Sequence, residues 1–187
     1  MSNTESGSAQ ATPEPAKLPT AHGESHPGYP VPLTDESYKI PKSLVHGSCH
    51  CKAVTFTANV SLDPDMICRC NCASCVKNGK RSYLLLEKDF NLLTPSSIDD
   101  ESVIHTYLYG RKAVKQQHCK ICGVYLWGIG ARPRWGNEIM LGLNVNTLDD
   151  IDWSDKKWRG GEGGFYLDGK GDFKQGARTE PFEFGFW

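Results

Sequence analysis

Gly47-Ser48-Cys49-His50-Cys51-Lys52-Ala53-Val54-Thr55-Phe56-Thr57-Ala58-Asn59-Val60 is the stretch that decides the fold class. From Val54 to Val60 apolar and polar residues alternate with period two, the pattern of a strand with one face on a core and the other in water. Just ahead of it stand two cysteines separated by one residue. In an extended segment residues i and i+2 point to the same side, so Cys49 and Cys51 can chelate a single ion. A mainly β chain that starts its sheets at a metal site is the expectation.

Working outward, seven of the eight cysteines fall into three groups: Cys49 with Cys51, then Cys70-Asn71-Cys72-Ala73-Ser74-Cys75, then Cys119-Lys120-Ile121-Cys122-Gly123. Zinc takes four soft ligands in a tetrahedron, and a C-x-x-C turn sets two sulfurs on one side of the ion. Gly123 permits the positive φ that closes such a turn. Cys49 and Cys51 joined by Cys119 and Cys122 would make a closed, structural four-cysteine site. Cys70, Cys72 and Cys75 are then three ligands on one loop, and a three-ligand zinc keeps a position for water or substrate, as catalytic sites do. Cys68 stands ahead of this group. By period two it faces the same way as Cys70, so it is either a buried free thiol or a fourth ligand, and the latter would leave two structural zincs with no chemistry.

The rest of the chain bounds these sites. Strand-like runs cover Ser82 to Leu86, Val103 to Tyr109, Ala113 to His118, Val124 to Ile129 and Glu138 to Val145, with one short helix expected from Ala73 to Asn78 ahead of Gly79. Residues 1–39 hold six of the eleven prolines and almost no apolar period, which predicts a disordered or draped arm. Residues 40–152 are the zinc-binding domain, and 153–187 form a Gly- and aromatic-rich extension that packs back on it at a few anchor points. With 21 basic and 22 acidic side chains the formal net charge is −1, so no electrostatic argument calls for nucleic acid. The N-terminus lacks the basic start and apolar run of a signal peptide, and no apolar run has the length of a membrane span. These features point to a soluble cytoplasmic protein in which thiols stay reduced and bind metal instead of forming disulfides. Either a monomer or a homodimer is compatible with them.

Three motifs carry a family resemblance: Gly47 to Phe56 quoted above, Cys70-Asn71-Cys72-Ala73-Ser74-Cys75-Val76-Lys77-Asn78-Gly79, and His118-Cys119-Lys120-Ile121-Cys122-Gly123. They resemble the glutathione-dependent formaldehyde-activating enzymes, a family that includes centromere protein V. The likeness runs from about residue 43 to 152 and takes in Leu143-Asn144-Val145-Asn146-Thr147-Leu148-Asp149. It implies a β-tent fold of small antiparallel sheets organised around two zinc ions. Cys49, Cys51, Cys119 and Cys122 would hold the structural one, and Cys70, Cys72 and Cys75 the catalytic one. Lys52 stands where the family often has glycine, His118 where an aromatic is usual, and Cys68 is additional.

The activity this implies is carbon-sulfur lyase chemistry on a small molecule, with glutathione as co-substrate and formaldehyde or a related aldehyde as its partner. A specialised zinc lyase acting on another small electrophile is the alternative. A non-catalytic, zinc-stabilised interaction module is the third reading, but its usual basic arm is missing: Lys17 is the one cation before Lys39. No side chain is assigned as general acid or base. His50 is expected to point away from the ion, His105 and His118 to be sheet residues with satisfied partners, Arg111 and Lys112 to lie on a solvated turn, and Trp127 and Trp135 to serve the core.

Overall fold

The computed structural model describes residues 40–109, 114–131, 139–158, 164–171, 175 and 177–185. The expected arm 1–39, Arg111, Lys112 and Trp135 lie outside them. In chain order the strands are β1 (Ser43–Ser48), β2 (Thr55–Val60), β3 (Ile67–Cys70), β4 (Arg81–Leu86), β5 (Phe90–Thr94), β6 (Ile104–Tyr109), β7 (Val114–Cys119), β8 (Tyr125–Ala131), β9 (Ile139–Asn144), β10 (Phe165–Leu167) and β11 (Ala177–Arg178). The helix α1 (Ala73–Lys77) follows β3. The chain is mainly β, as the period-two runs required. Among the described residues no helix is long and apolar enough to cross a membrane.

Two sheets form. One has the order β1-β2-β5 and is antiparallel throughout; the other runs β11-β10-β3-β4-β9-β8-β7-β6. Among the described residues its one parallel pair is β3 with β10. Where the sheets meet, Phe56 and Phe90 from the first close on Trp127 from the second, with ring centroids 5.7 and 5.0 Å from the indole. Phe56 and Trp127 are fully buried, so the alternation of β2 does face a core, and Trp127 is the core residue the sequence predicted. Gln117 is fully buried beside Trp127, but its amide is satisfied: it accepts from the indole N–H and donates to Ile98 O and Thr106 Oγ1.

Strands β1, β3 and β5 were not legible as strands. In β1 three of the six residues are exposed and in β3 nearly all are buried, so neither shows a clean alternation. The tight turns at the cysteines follow from local chemistry. In the β1–β2 turn Cys49 N–H donates to Val54 O and Lys52 N–H to Cys49 O; in the β7–β8 turn Cys119 N–H donates to Val124 O and Gly123 N–H to Cys119 O. Each turn needs one residue at positive φ, and Lys52 (63°) and Gly123 (76°) supply it. The glycine reading at 123 holds. At 52 a lysine occupies a conformation that favours glycine.

Candidate metal centres

The two turns bring Cys49, Cys51, Cys119 and Cys122 together, every sulfur within 4.8 Å of the others. Cys49 and Cys51 Sγ lie 3.5 Å apart, Cys51 and Cys119 Sγ 3.6 Å. A tetrahedral zinc with bonds of about 2.3 Å has ligands about 3.8 Å apart, so four thiolates fit it here. Backbone N–H groups already point at these sulfurs, as from Val54 to Cys49 Sγ at 3.3 Å. One expectation changes: Cys49 and Cys51 converge across the turn that follows β1, not along an extended strand, because the chain must fold back at Lys52 to enter β2.

The thiols of this group differ in how readily they ionise. Burial pushes Cys119 up to about 12 and also raises Cys49. Burial works against ionising Cys122 as well, but N–H donors from Val124 and Cys51 and the neighbouring thiols bring it down to about 6. Cys122 ionises readily while Cys49 and Cys119 resist, and a bound cation would favour the thiolate form of all of them.

Cys70, Cys72 and Cys75 form the second group, with the same 4.8 Å limit. Cys70 ends β3, Cys72 caps α1 and accepts the Cys75 N–H on its sulfur at 3.4 Å, and Cys75 sits in the helix. The Cys72 thiol beside it pushes Cys70 up to about 11, and the thiols of Cys70 and Cys72 raise Cys75 further. Among the described residues Cys68 is not part of this group. It lies mid-strand in β3, buried and paired with Ser82 and Phe165. Alternating strand residues of like facing are about 6.6 Å apart along a straight strand, and the chain bends at Cys72, after β3 has ended, so Cys72 approaches Cys70 while Cys68 stays behind.

Residues 44–160 match the model of the family described as glutathione-dependent formaldehyde-activating enzyme, more than half of the chain. The chain belongs to that family. A curated Halomonas elongata protein whose name places it provisionally there is 34% identical over 95 residues, which span 49% of this chain and 59% of that relative's length. A crystal structure of a Rhodobacter sphaeroides protein shares the fold with a TM-score of 0.50 at 23% identity, over 65% of this chain and 99% of the other.

Family motifs do not account for everything around the Cys70–Cys75 group. Lys80 follows α1, donates its backbone N–H to Cys75 O at 3.0 Å and places Nζ 3.9 Å from the centre of the buried Tyr125 ring. Burial lowers the Lys80 ammonium, while the sulfurs of Cys75, Cys72 and Cys70 favour its charged form. Burial raises the Tyr125 phenol, and Cys75 and Cys72 add to that. His118 packs edge-on against Tyr125 at 5.2 Å, and its Nε2 lies 3.2 Å from Asn78 Oδ1. The expectation of a satisfied histidine holds at Nε2 but not at Nδ1, which is buried without a partner. His50 is exposed, as expected. Gln116, buried on β7, is hydrogen-bonded to Ser74 between two of the cysteines.

Sequence reasoning missed Lys80, which the turn after α1 folds back onto Cys75 O, and Tyr125 and Gln116, which reach the group from β8 and β7. Nor did it single out Asn71 or Asp168. Behind the cysteine loop a cavity of about 400 Å³ is lined by Asn71, Asp168, Lys170, Arg178, Phe182 and Phe184 among others. All of these except Asn71 lie beyond the family match.

Proposed function

We propose that the chain is a zinc-dependent carbon-sulfur lyase that makes or breaks the bond between the glutathione sulfur and the carbon of formaldehyde or a related aldehyde. The observation that carries this is the three-thiol group on one loop beside a separate four-thiol group. Two ions per chain would divide into a structural one on Cys49, Cys51, Cys119 and Cys122, and a catalytic one on Cys70, Cys72 and Cys75. Zinc bound by three cysteines supplies a Lewis acid with room for a substrate thiolate, lowering the thiol below its free value of about 8.5.

The surrounding residues supply the rest. In the forward direction the sulfur lone pair forms the S–C bond, the C=O π pair moves onto oxygen, and that oxygen takes a proton; cleavage reverses each move. Lys80 contributes a fixed positive charge beside the sulfurs, which favours the anionic thiolate and the developing alkoxide. Tyr125 and His118 close the floor beneath Lys80 and keep water from that side. Ser74 and Gln116 hold α1, and so the spacing of Cys72 and Cys75, against β7.

Carbon-13 NMR of labelled formaldehyde mixed with glutathione tests the reading. S-(hydroxymethyl)glutathione should form faster than without protein, and Cys72→Ala should return the rate to the uncatalysed one. An unchanged rate in Cys72→Ala would sink the idea. A second reading, a specialised zinc lyase of the same fold in which another small-molecule substrate takes the place of glutathione, draws on the cavity behind the loop, which residues outside the family match build. Calorimetric titration with glutathione separates the two: no binding leaves only the second.

A further inference from the structure

The loop that carries Cys70, Cys72 and Cys75 does not hold itself in place. Asn71, between Cys70 and Cys72, is buried at 5% exposure, and its hydrogen bonds run to the C-terminal extension. Asn71 N–H donates to Leu167 O at 3.2 Å. Its side-chain amide donates to Asp168 Oδ1 at 2.8 Å and to Glu183 O at 3.4 Å, and its Oδ1 accepts the Lys170 N–H at 2.9 Å. Asp168 is itself 7% exposed and held further, by Gly171 N–H on the same Oδ1 at 3.0 Å and by Gln175 Nε2 on Oδ2 at 3.1 Å. The parallel pairing of β10 with β3, which puts Leu167 opposite Cys70, brings the two segments into register.

We propose that Asp168 is a positioning residue for the three-thiol metal centre: through Asn71 it sets the bend that lets Cys70 and Cys72 converge. This rests on the reading of Cys70, Cys72 and Cys75 as a metal site. Along a straight strand their sulfurs would stand apart, and the bend costs backbone freedom that the loop's own short sequence does not offset. Clamping Asn71 on both faces of its amide removes that freedom before any ion binds. Residues that orient metal ligands from the outer shell change metal affinity by roughly 10- to 100-fold when removed.

Cobalt(II) titration of the full-length chain tests this, because thiolate charge-transfer and d–d bands report ligand number and geometry at each centre. The unaltered chain should bind two ions. Asp168→Ala and, separately, Asn71→Asp, which sets two carboxylates against each other, should leave the four-thiol ion untouched. Each should weaken the three-thiol ion about tenfold against a chromophoric chelator, with altered d–d bands. The exchanged pair, Asn71→Asp with Asp168→Asn, restores one donor facing one acceptor while Gly171 N–H and Glu183 O lose their partners, and should recover part of the affinity, which a merely structural defect would not do. If Asp168→Ala loses both ions, Asn71→Asp and the exchanged pair decide in the same way. Single variants that bind both ions as the unaltered chain does, or an exchanged pair with no recovery, overturn the proposal. A single ion on the unaltered chain instead overturns the reading of the three-thiol group itself.

Discussion

Lys52 shows how one side chain carries two opposed effects. At φ 63° it sits where a Cβ is unfavourable, yet its ammonium reaches Ser48 Oγ at 2.8 Å and Asp149 Oδ2 at 3.2 Å. That ion pair is more than 40% exposed on both sides, so screening leaves it worth little. Replacing Lys52 by glycine should therefore hold or raise stability, and replacing it by alanine, which keeps the Cβ without the ammonium, should leave the chain about 1 kcal/mol less stable than the glycine variant in urea unfolding. Thiol ionisation sets a second expectation at this scale. Cys119 pushed up to about 12 and Cys70 up to about 11 are thiols, not thiolates, at neutral pH in the metal-free chain, so each ion taken up displaces protons. Zinc affinity should rise as pH rises from about 6 to 8. Calorimetry in buffers of differing ionisation enthalpy counts those protons, and a pH-independent affinity would contradict the assignment.

Between elements, the junction of β3 with β10 is the sensitive one. The chain enters β10 through Gly164, at φ 87°, where an added Cβ would sit 2.4 Å from Ile67 O and 2.7 Å from Arg69 Nη1. Alanine at 164 must move the strand away from β3. Hydrogen exchange at the Asn71 amide, which donates to Leu167 O, should speed up in Gly164→Ala by the factor that corresponds to about 2 kcal/mol of local opening. Amides in β7 and β8, which share no contact with Gly164 through that junction, should keep their protection. β10 and β11 were not legible beforehand for the same reason that they matter. Three residues and two residues are too few to show a period, and β10 is a strand only because β3 offers it an edge.

For the molecule as a whole the four-thiol group ties the β1–β2 turn to the β7–β8 turn across 68 residues of sequence. Structural zinc of this kind contributes on the order of 10 kcal/mol, comparable with the whole net stability of a domain. A strong chelator should thus act in two stages: loss of the three-thiol ion with the thermal midpoint nearly unchanged, then loss of the four-thiol ion with unfolding. Cys119→Ser should go directly to the second stage, seen by circular dichroism. Spacing alone was enough to partition seven cysteines into a group of four and a group of three and to predict a mainly β chain, because ligand geometry and strand period are local properties that a short stretch expresses completely. The family resemblance was legible on the same residues. What only the tertiary structure decided is which side chains surround each group: Lys80 and Tyr125 beside the three thiols, Asp168 behind them, Cys68 left outside them on β3. Those neighbours come from segments up to about a hundred residues away, and their meeting depends on sheet order and chain bends to which no local pattern responds.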